Sequence, residues 1–185
     1  MGHLRTLAGV VLLVSALVAC GGSDGGSSGV AETIPDGADQ PVDGDERPSF
    51  VDDVFAAIDA VEKERGTGQR YFEVTANAQF TNVFVAVDDA TAAIAYVFVD
   101  GELQSPAPKQ TGAEGETFTA ADVGYDPSLV LSGVSADLPN SEVDAISVYG
   151  DGVGATYVLA ATSEVGGFLD IVVGPQGQVL SVDPL

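Results

Sequence analysis

Histidine is missing from almost the whole chain: the single His3 stands beside Arg5 at the extreme start. Tryptophan is absent, and cysteine occurs once, at Cys20. Without a histidine beyond His3, the body of the chain cannot build Ser-His-Asp or Cys-His nucleophiles. Zinc sites resting on His or Cys are excluded for the same reason. Lysine occurs only at Lys63 and Lys109, which leaves little room for Ser-Lys chemistry. A lone cysteine has no partner within the chain, so the fold uses no internal disulfide. Positive charge is scarce too: 6 Lys and Arg face 28 Asp and Glu, for a formal net charge of −22. Such a field repels nucleic acid and anionic headgroups. Carboxylate chemistry and all-oxygen metal sites are the catalytic options that remain.

The apolar residues begin at once. After Arg5, the segment Thr6–Val18 is a run rich in Leu, Val and Ala, followed by Ala19 and Cys20. A basic start, a short apolar stretch and small residues form the order of a secretory signal. The run is about a dozen residues, whereas a spanning helix needs roughly 20. Leu17-Val18-Ala19-Cys20 resembles the lipobox of bacterial lipoproteins. The resemblance implies that the Cys20 thiol takes a diacylglyceryl group and that the chain is cut between Ala19 and Cys20. A cysteine suits this chemistry because its thiolate is readily alkylated. The implied location is the extracytoplasmic face of the cell membrane, at the cell surface or in the periplasm.

Residues 20–48 read as a tether. Gly21–Gly29 is nearly all Gly and Ser, and the next stretch carries Pro35, Pro41 and Pro48 among six acidic residues. This composition buries too little apolar surface to offset its ordering entropy. A coil of that length spans about 30 Å on average. Asp43-Gly44-Asp45-Glu46 lacks the later ligands of a calcium loop, which leaves a solvated linker as the reading.

The folded part is expected from Ser49 onward, in two units: 49–108, then a loop and second unit over 109–185. Ser49 can cap a helix, and Val51, Val54, Phe55, Ile58 and Val61 repeat at helical period until Gly66 and Gly68. The period then drops to two. Phe72, Val74 and Ala76 share a face of one strand, and Val83–Val87 and Thr91–Val99 flank an Asp88-Asp89 turn. Asp100-Gly101 signals a hairpin into a short strand near Leu103. Gln104–Gly115 is a Pro- and Gly-rich loop. Asp126-Pro127 starts a second helix, with Leu129, Val130, Leu131 and Val134 toward the core. Strands are expected near 146–149, 155–162, 167–173 and 178–182.

The halves superpose at an offset of 76 residues: Val54, Phe55 and Ile58 fall on Val130, Leu131 and Val134. The fold class is therefore α+β, as two helix-plus-antiparallel-sheet units that form an internal repeat; a single domain with a chance repetition is the alternative. The ending, Leu169 through Val182, resembles the last hairpin of PepSY-type domains, small exported modules of one helix on three strands. That resemblance implies a role in peptidase inhibition or in regulating a neighbouring enzyme. Pro175-Gln176 stands where that family places an acidic turn residue, and no functional residue transfers.

Candidate site residues are few. Thr91–Val99 is apolar on both faces, so Phe84, Tyr96, Val97, Phe98 and Val99 are singled out as an apolar binding face, with Phe80 near it. A ligand, a partner or the second unit must cover such a sheet; packing of Val97 and Val99 against the second unit is expected. Gly150-Asp151-Gly152-Val153-Gly154 lacks the lysine of a phosphate loop and reads as a hairpin turn. Asp52-Asp53 are adjacent on a helix and do not face each other, and Asp88-Asp89 lie in a turn. No catalytic residue, metal ligand or cofactor is assigned. The expected function is a non-enzymatic protein-binding or regulatory domain, tethered to the membrane by lipid. The alternatives are a small-molecule or lipid carrier using the apolar sheet face, and a carboxylate-only hydrolase such as a glycosidase.

Overall fold

The computed structural model describes residues 50–185. Ala19, Cys20, the tether and the Ser49 cap lie outside the described residues. Chain order is α1 (Phe50–Arg65), β1 (Arg70–Asn77), β2 (Thr81–Val87), β3 (Ala92–Val99), β4 (Glu102–Leu103), β5 (Gln110–Thr111) and β6 (Phe118–Thr119). A single 3-10 turn at Ala120–Asp122 leads to α2 (Pro127–Asp137), β7 (Ser141–Gly150), β8 (Ala155–Ser163), β9 (Phe168–Val173) and β10 (Val179–Pro184).

The first helix forms where the sequence places it. Val51, Val54, Ile58 and Val61 are buried on its apolar stripe, joined by Phe50 and Ala57. Each fully buried Val or Ile contributes about 1.5–3 kcal/mol. Asp52 and Asp53 in the first turn and Lys63 and Arg65 in the last oppose the helix dipole favourably. Gly66 ends it with φ of +94° while donating its N–H to Glu62 O. In α2 the Asp126 carboxylate accepts from Ser128 N and Leu129 N, and Pro127 occupies the first turn. Val130 and Val134 are buried, Leu131 packs half-buried against the core, and Leu129 turns out to solvent. Leu129 was expected inside. The α2 apolar run is continuous rather than periodic, so spacing does not say which of its residues face inward.

All ten strands join one antiparallel sheet. Its main path runs β10-β9-β8-β7-β1-β2-β3-β4, with β5 on β3 and β6 on β1. Two separate sheets are therefore excluded: the halves 49–108 and 109–185 meet strand to strand, where β1 pairs with β7 from Glu73↔Tyr149 to Asn77↔Ala145. The Asp100-Gly101 hairpin forms with both residues at positive φ, as the tightest two-residue turns require. A bulge at Phe72 corrects the pattern expected for the first strand. Tyr71, not Phe72, shares the buried face with Val74 and Ala76, because one extra residue reverses the alternation before it. The short β5 and β6 were not expected. Two-residue strands carry no periodicity, and their pairing is set by neighbours.

Both helices cover the same side of the sheet. Their buried residues belong to one core with Val83, Val85 and Tyr96 from one half and Leu159, Ile171 and Val173 from the other. Tyr125 sits at the seam. Its ring lies 4.8 Å from Phe55 and 5.0 Å from Tyr157. Its hydroxyl donates to Val51 O at 2.6 Å, and burial pushes that hydroxyl well above the usual tyrosine pKa, with Asp52 adding to the effect. Tyr157 in turn accepts from Gly124 N and donates to Asp122 O. The approach to α2 is thereby pinned to α1 and to β8.

Candidate interaction surface

Register decides which residues face away from the helices. Val83 pairs with Tyr96 and Thr81 with Phe98, and all four are buried beneath α1. Arg65 Nη1 donates to the Tyr96 hydroxyl at 3.1 Å, which confirms the side. Phe84 pairs with Ala95, and Asn82 with Val97, on the opposite face. The five singled-out residues therefore divide. Tyr96 and Phe98 are core, whereas Phe84, Val97 and Val99 stand on the helix-free face. Val97 is 37% exposed and Val99 half-buried. The expectation that the second half covers them is overturned. That half extends the sheet edge to edge through β7 and leaves this face uncovered by either helix.

A row of small side chains runs across this face from Val97 through Asn82, Thr75, Ser147 and Val158 to Val172. Thr75 Oγ1 donates to Glu73 Oε1 at 2.5 Å and lies 2.8 Å from Ser147 Oγ. Next to them Tyr149 pairs with Glu73. Its phenol is raised in pKa by burial, opposed by the Ser147 hydrogen bond, with Glu73 and Asp170 adding to the rise. The surface is thus of mixed character, with apolar Phe84 and Val97 at one end and carboxylates further along. Asp170 stands directly opposite Asp183 across β9 and β10, an arrangement that like charges disfavour.

Two hollows at the border of the fold are lined by described residues. One, of about 240 Å³, is lined by Asp53, Asn77, Phe80, Phe98 and Asp100, among others. It contains Phe80 and Phe98 but neither Phe84 nor Val97, so the aromatic residues of the sequence are not gathered at one site. The Asp53 carboxyl is raised in pKa by burial and by neighbouring Asp52. The other, of about 220 Å³, lies beyond the C-terminal end of α2 against Leu138, Pro139, Val165 and Leu169. Small-molecule sites usually occupy some 300–1,000 Å³.

The Gly150–Gly154 segment is a hairpin turn held from within. Asp151 Oδ1 accepts from Val153 N at 2.9 Å and Gly154 N at 2.8 Å, and Oδ2 accepts from Thr156 Oγ1 at 3.0 Å. The carboxylate occupies the N–H groups a phosphate would need and is held below the usual carboxylate range by those bonds, Val153 N foremost. Asp88, one of the turn pair, is bound to Lys109 at 2.7 Å on the surface. Among the described residues no group of three or more His, Cys, Asp and Glu could hold a metal ion, and no helix is long and apolar enough to cross a membrane.

Sequence reasoning did not single out the exposed edge of the sheet. In β10, Leu180 is 62% and Val182 37% exposed. Comparison with protein-family models, with curated proteins and with solved structures found no match.

Proposed function

We propose that the chain is a bacterial lipoprotein, anchored through Cys20 on the extracytoplasmic side of the membrane, whose folded domain binds or regulates another protein without catalysing a reaction. The lipobox-like Leu17-Val18-Ala19-Cys20 after a short apolar run supports the anchor. The observation that carries the binding reading is the broad sheet face that both helices leave bare, with Phe84, Val97 and Val99 at one end. An open face of this kind complements a protein surface, whereas a carrier needs an enclosed apolar space. The domain is further proposed to be two related units, each akin to a PepSY-like module. Supporting this, the strand order reads outward from the β1–β7 pair in mirror sequence. Shifted by 76 residues, the start of β3 at Ala92 falls on Phe168, where β9 starts, and β4 falls where β10 starts.

The test is capture of the lipidated full chain from membranes after mild cross-linking, with organic extraction of the eluate. A protein recovered in proportion to the bait, and lost from Val97→Asp or Phe84→Ser bait, is the expected outcome. A lipid or small apolar molecule recovered instead, one per chain, would establish the carrier.

A further inference from the structure

The sheet has two lateral edges, and the fold treats them differently. The β3 edge is closed. After β4, the loop returns along it, with Gln104 N donating to Val97 O, Ala107 N to Ala95 O and Gly112 N to Thr91 O. Pro106 and Pro108 lie in that loop and remove donors from its outer side. The opposite edge is β10, which among the described residues pairs only with β9. Every residue from Leu180 to Leu185 is exposed.

Register shows which backbone groups of β10 point outward. Leu185 N donates to Phe168 O, and pairing runs on through Pro184↔Leu169, Asp183↔Asp170 and Val182↔Ile171. Antiparallel pairs alternate between hydrogen-bonded and non-bonded positions. Leu185, Asp183 and Ser181 therefore turn their backbone groups toward β9, whereas Val182 and Pro184 turn theirs away from the sheet. Proline at 184 has no N–H to offer. Val182 presents both an N–H and a C=O, with exposed Leu180 and Leu185 near it. The turn before β10 is rigidly placed. Gly177 packs so tightly on α2 that a Cβ there would overlap Leu129 O, and a Cβ on Gly133 would overlap Gly177 O. Asp126 N also donates to Pro175 O.

Charge selects what fits. Residues 110–185 contain eleven Asp and Glu and no Lys, Arg or His. At this edge Asp170 and Asp183 face each other directly, so an incoming cation relieves their repulsion. A second copy of the chain would bring the same charges. We infer that β10 is a docking edge for an extended, Lys- or Arg-bearing segment of a partner protein. That segment adds as a further antiparallel or parallel strand at Val182 and places its alternate basic side chains beside Asp170 and Asp183. The inference rests on the protein-binding reading and names where that binding occurs and the chemistry of the partner.

The test uses the full chain and a fluorescein-labelled peptide of alternating Lys and Thr, read by anisotropy at low salt. Wild type is expected to bind it, and to bind neither the Glu-Thr counterpart nor a version N-methylated at alternate residues. Val182→Pro removes the outward N–H without touching a bond to β9 and should weaken binding roughly tenfold or more, with Val182→Thr retaining it. Asp170→Asn with Asp183→Asn should weaken it by a similar factor while the melting temperature holds or rises. Binding that survives Val182→Pro with the fold intact, or binding of the N-methylated peptide, overturns the edge in favour of general charge attraction. A wild-type dimer in sedimentation that Val182→Pro returns to monomer overturns it in favour of a second copy. A membrane partner captured equally by wild type and Val182→Pro leaves the protein-binding reading standing while the edge falls.

Discussion

Replacing Val97 by Asp, beside the same change at Val83, tests directly which face of the sheet is bare. The two valines lie on neighbouring strands and differ in side. Val83 is completely buried under α1, and Val97 is 37% exposed on the helix-free face. At Val97 about two thirds of a full burial is forfeited, about 1–2 kcal/mol, and the poorer strand propensity of Asp adds up to about 1 kcal/mol. The carboxylate itself stays in water. The expected loss is about 1–3 kcal/mol. At Val83 the whole transfer energy goes and an unpaired charge is forced into the core, so the loss should exceed about 4 kcal/mol and take most of a small domain's stability. Urea unfolding followed by far-ultraviolet circular dichroism gives both midpoints, provided the slope is unchanged. Equal, severe losses at the two positions would mean that something covers Val97, and the account of an open face would be wrong.

Other expectations follow from single contacts. Tyr125→Phe removes a buried hydroxyl that donates to Val51 O and should cost about 1–2 kcal/mol, whereas Tyr71→Phe removes a buried hydroxyl with no partner and should be neutral or stabilising; equal effects in thermal melts would contradict the assignment. Gly177→Ala places a methyl against Leu129 O at a φ of +82° and should lower the melting temperature well beyond the effect of Gly154→Ala, where no atom is near. The Asp122 carboxylate is held below the usual range chiefly by Thr119 N, and Asp151 by Val153 N. Each therefore stabilises the fold above the unfolded carboxylate pKa of about 4 and loses that contribution as pH falls through its folded value. Asp122→Asn and Asp151→Asn should be less stable than wild type at pH 7 and equal to it at pH 2, and a difference that persists at pH 2 would exclude this cause. With a formal charge of −22, most of it carried by residues 50–185, melting temperature should climb with sodium chloride as repulsion is screened; a flat response would show that these carboxylates lie too far apart to repel one another appreciably.

What the sequence disclosed depended on how each signal is encoded. Local signals were readable. The α1 stripe, the Asp126-Pro127 start, the Asp100-Gly101 hairpin and the Gly150–Gly154 turn all formed where residue type and spacing indicate. Signals that depend on distant partners were not. Val97 and Tyr96 are both apolar neighbours on one strand, and only the position of α1 makes one core and the other surface. The bulge at Phe72 reverses a face through one extra residue, which alternation alone cannot reveal. The joining of β1 to β7 also lay beyond reach, because either strand could equally have ended its own sheet. The exposed edge at Val182 had a single marker, Pro184 in β10, since proline within a sheet is confined to edges, and a strand read as ending at 182 leaves that marker outside it.

The central claim, a lipid-anchored domain that binds protein rather than a small ligand, meets its most direct test in native mass spectrometry of the full chain extracted from its own membranes. The account predicts a chain beginning at Cys20 with a covalent diacylglyceryl mass, no bound small molecule, and a complex with a second protein that dissociates as salt is raised. An unacylated N-terminus, or a lipid held noncovalently in one copy per chain with no protein partner, would contradict it.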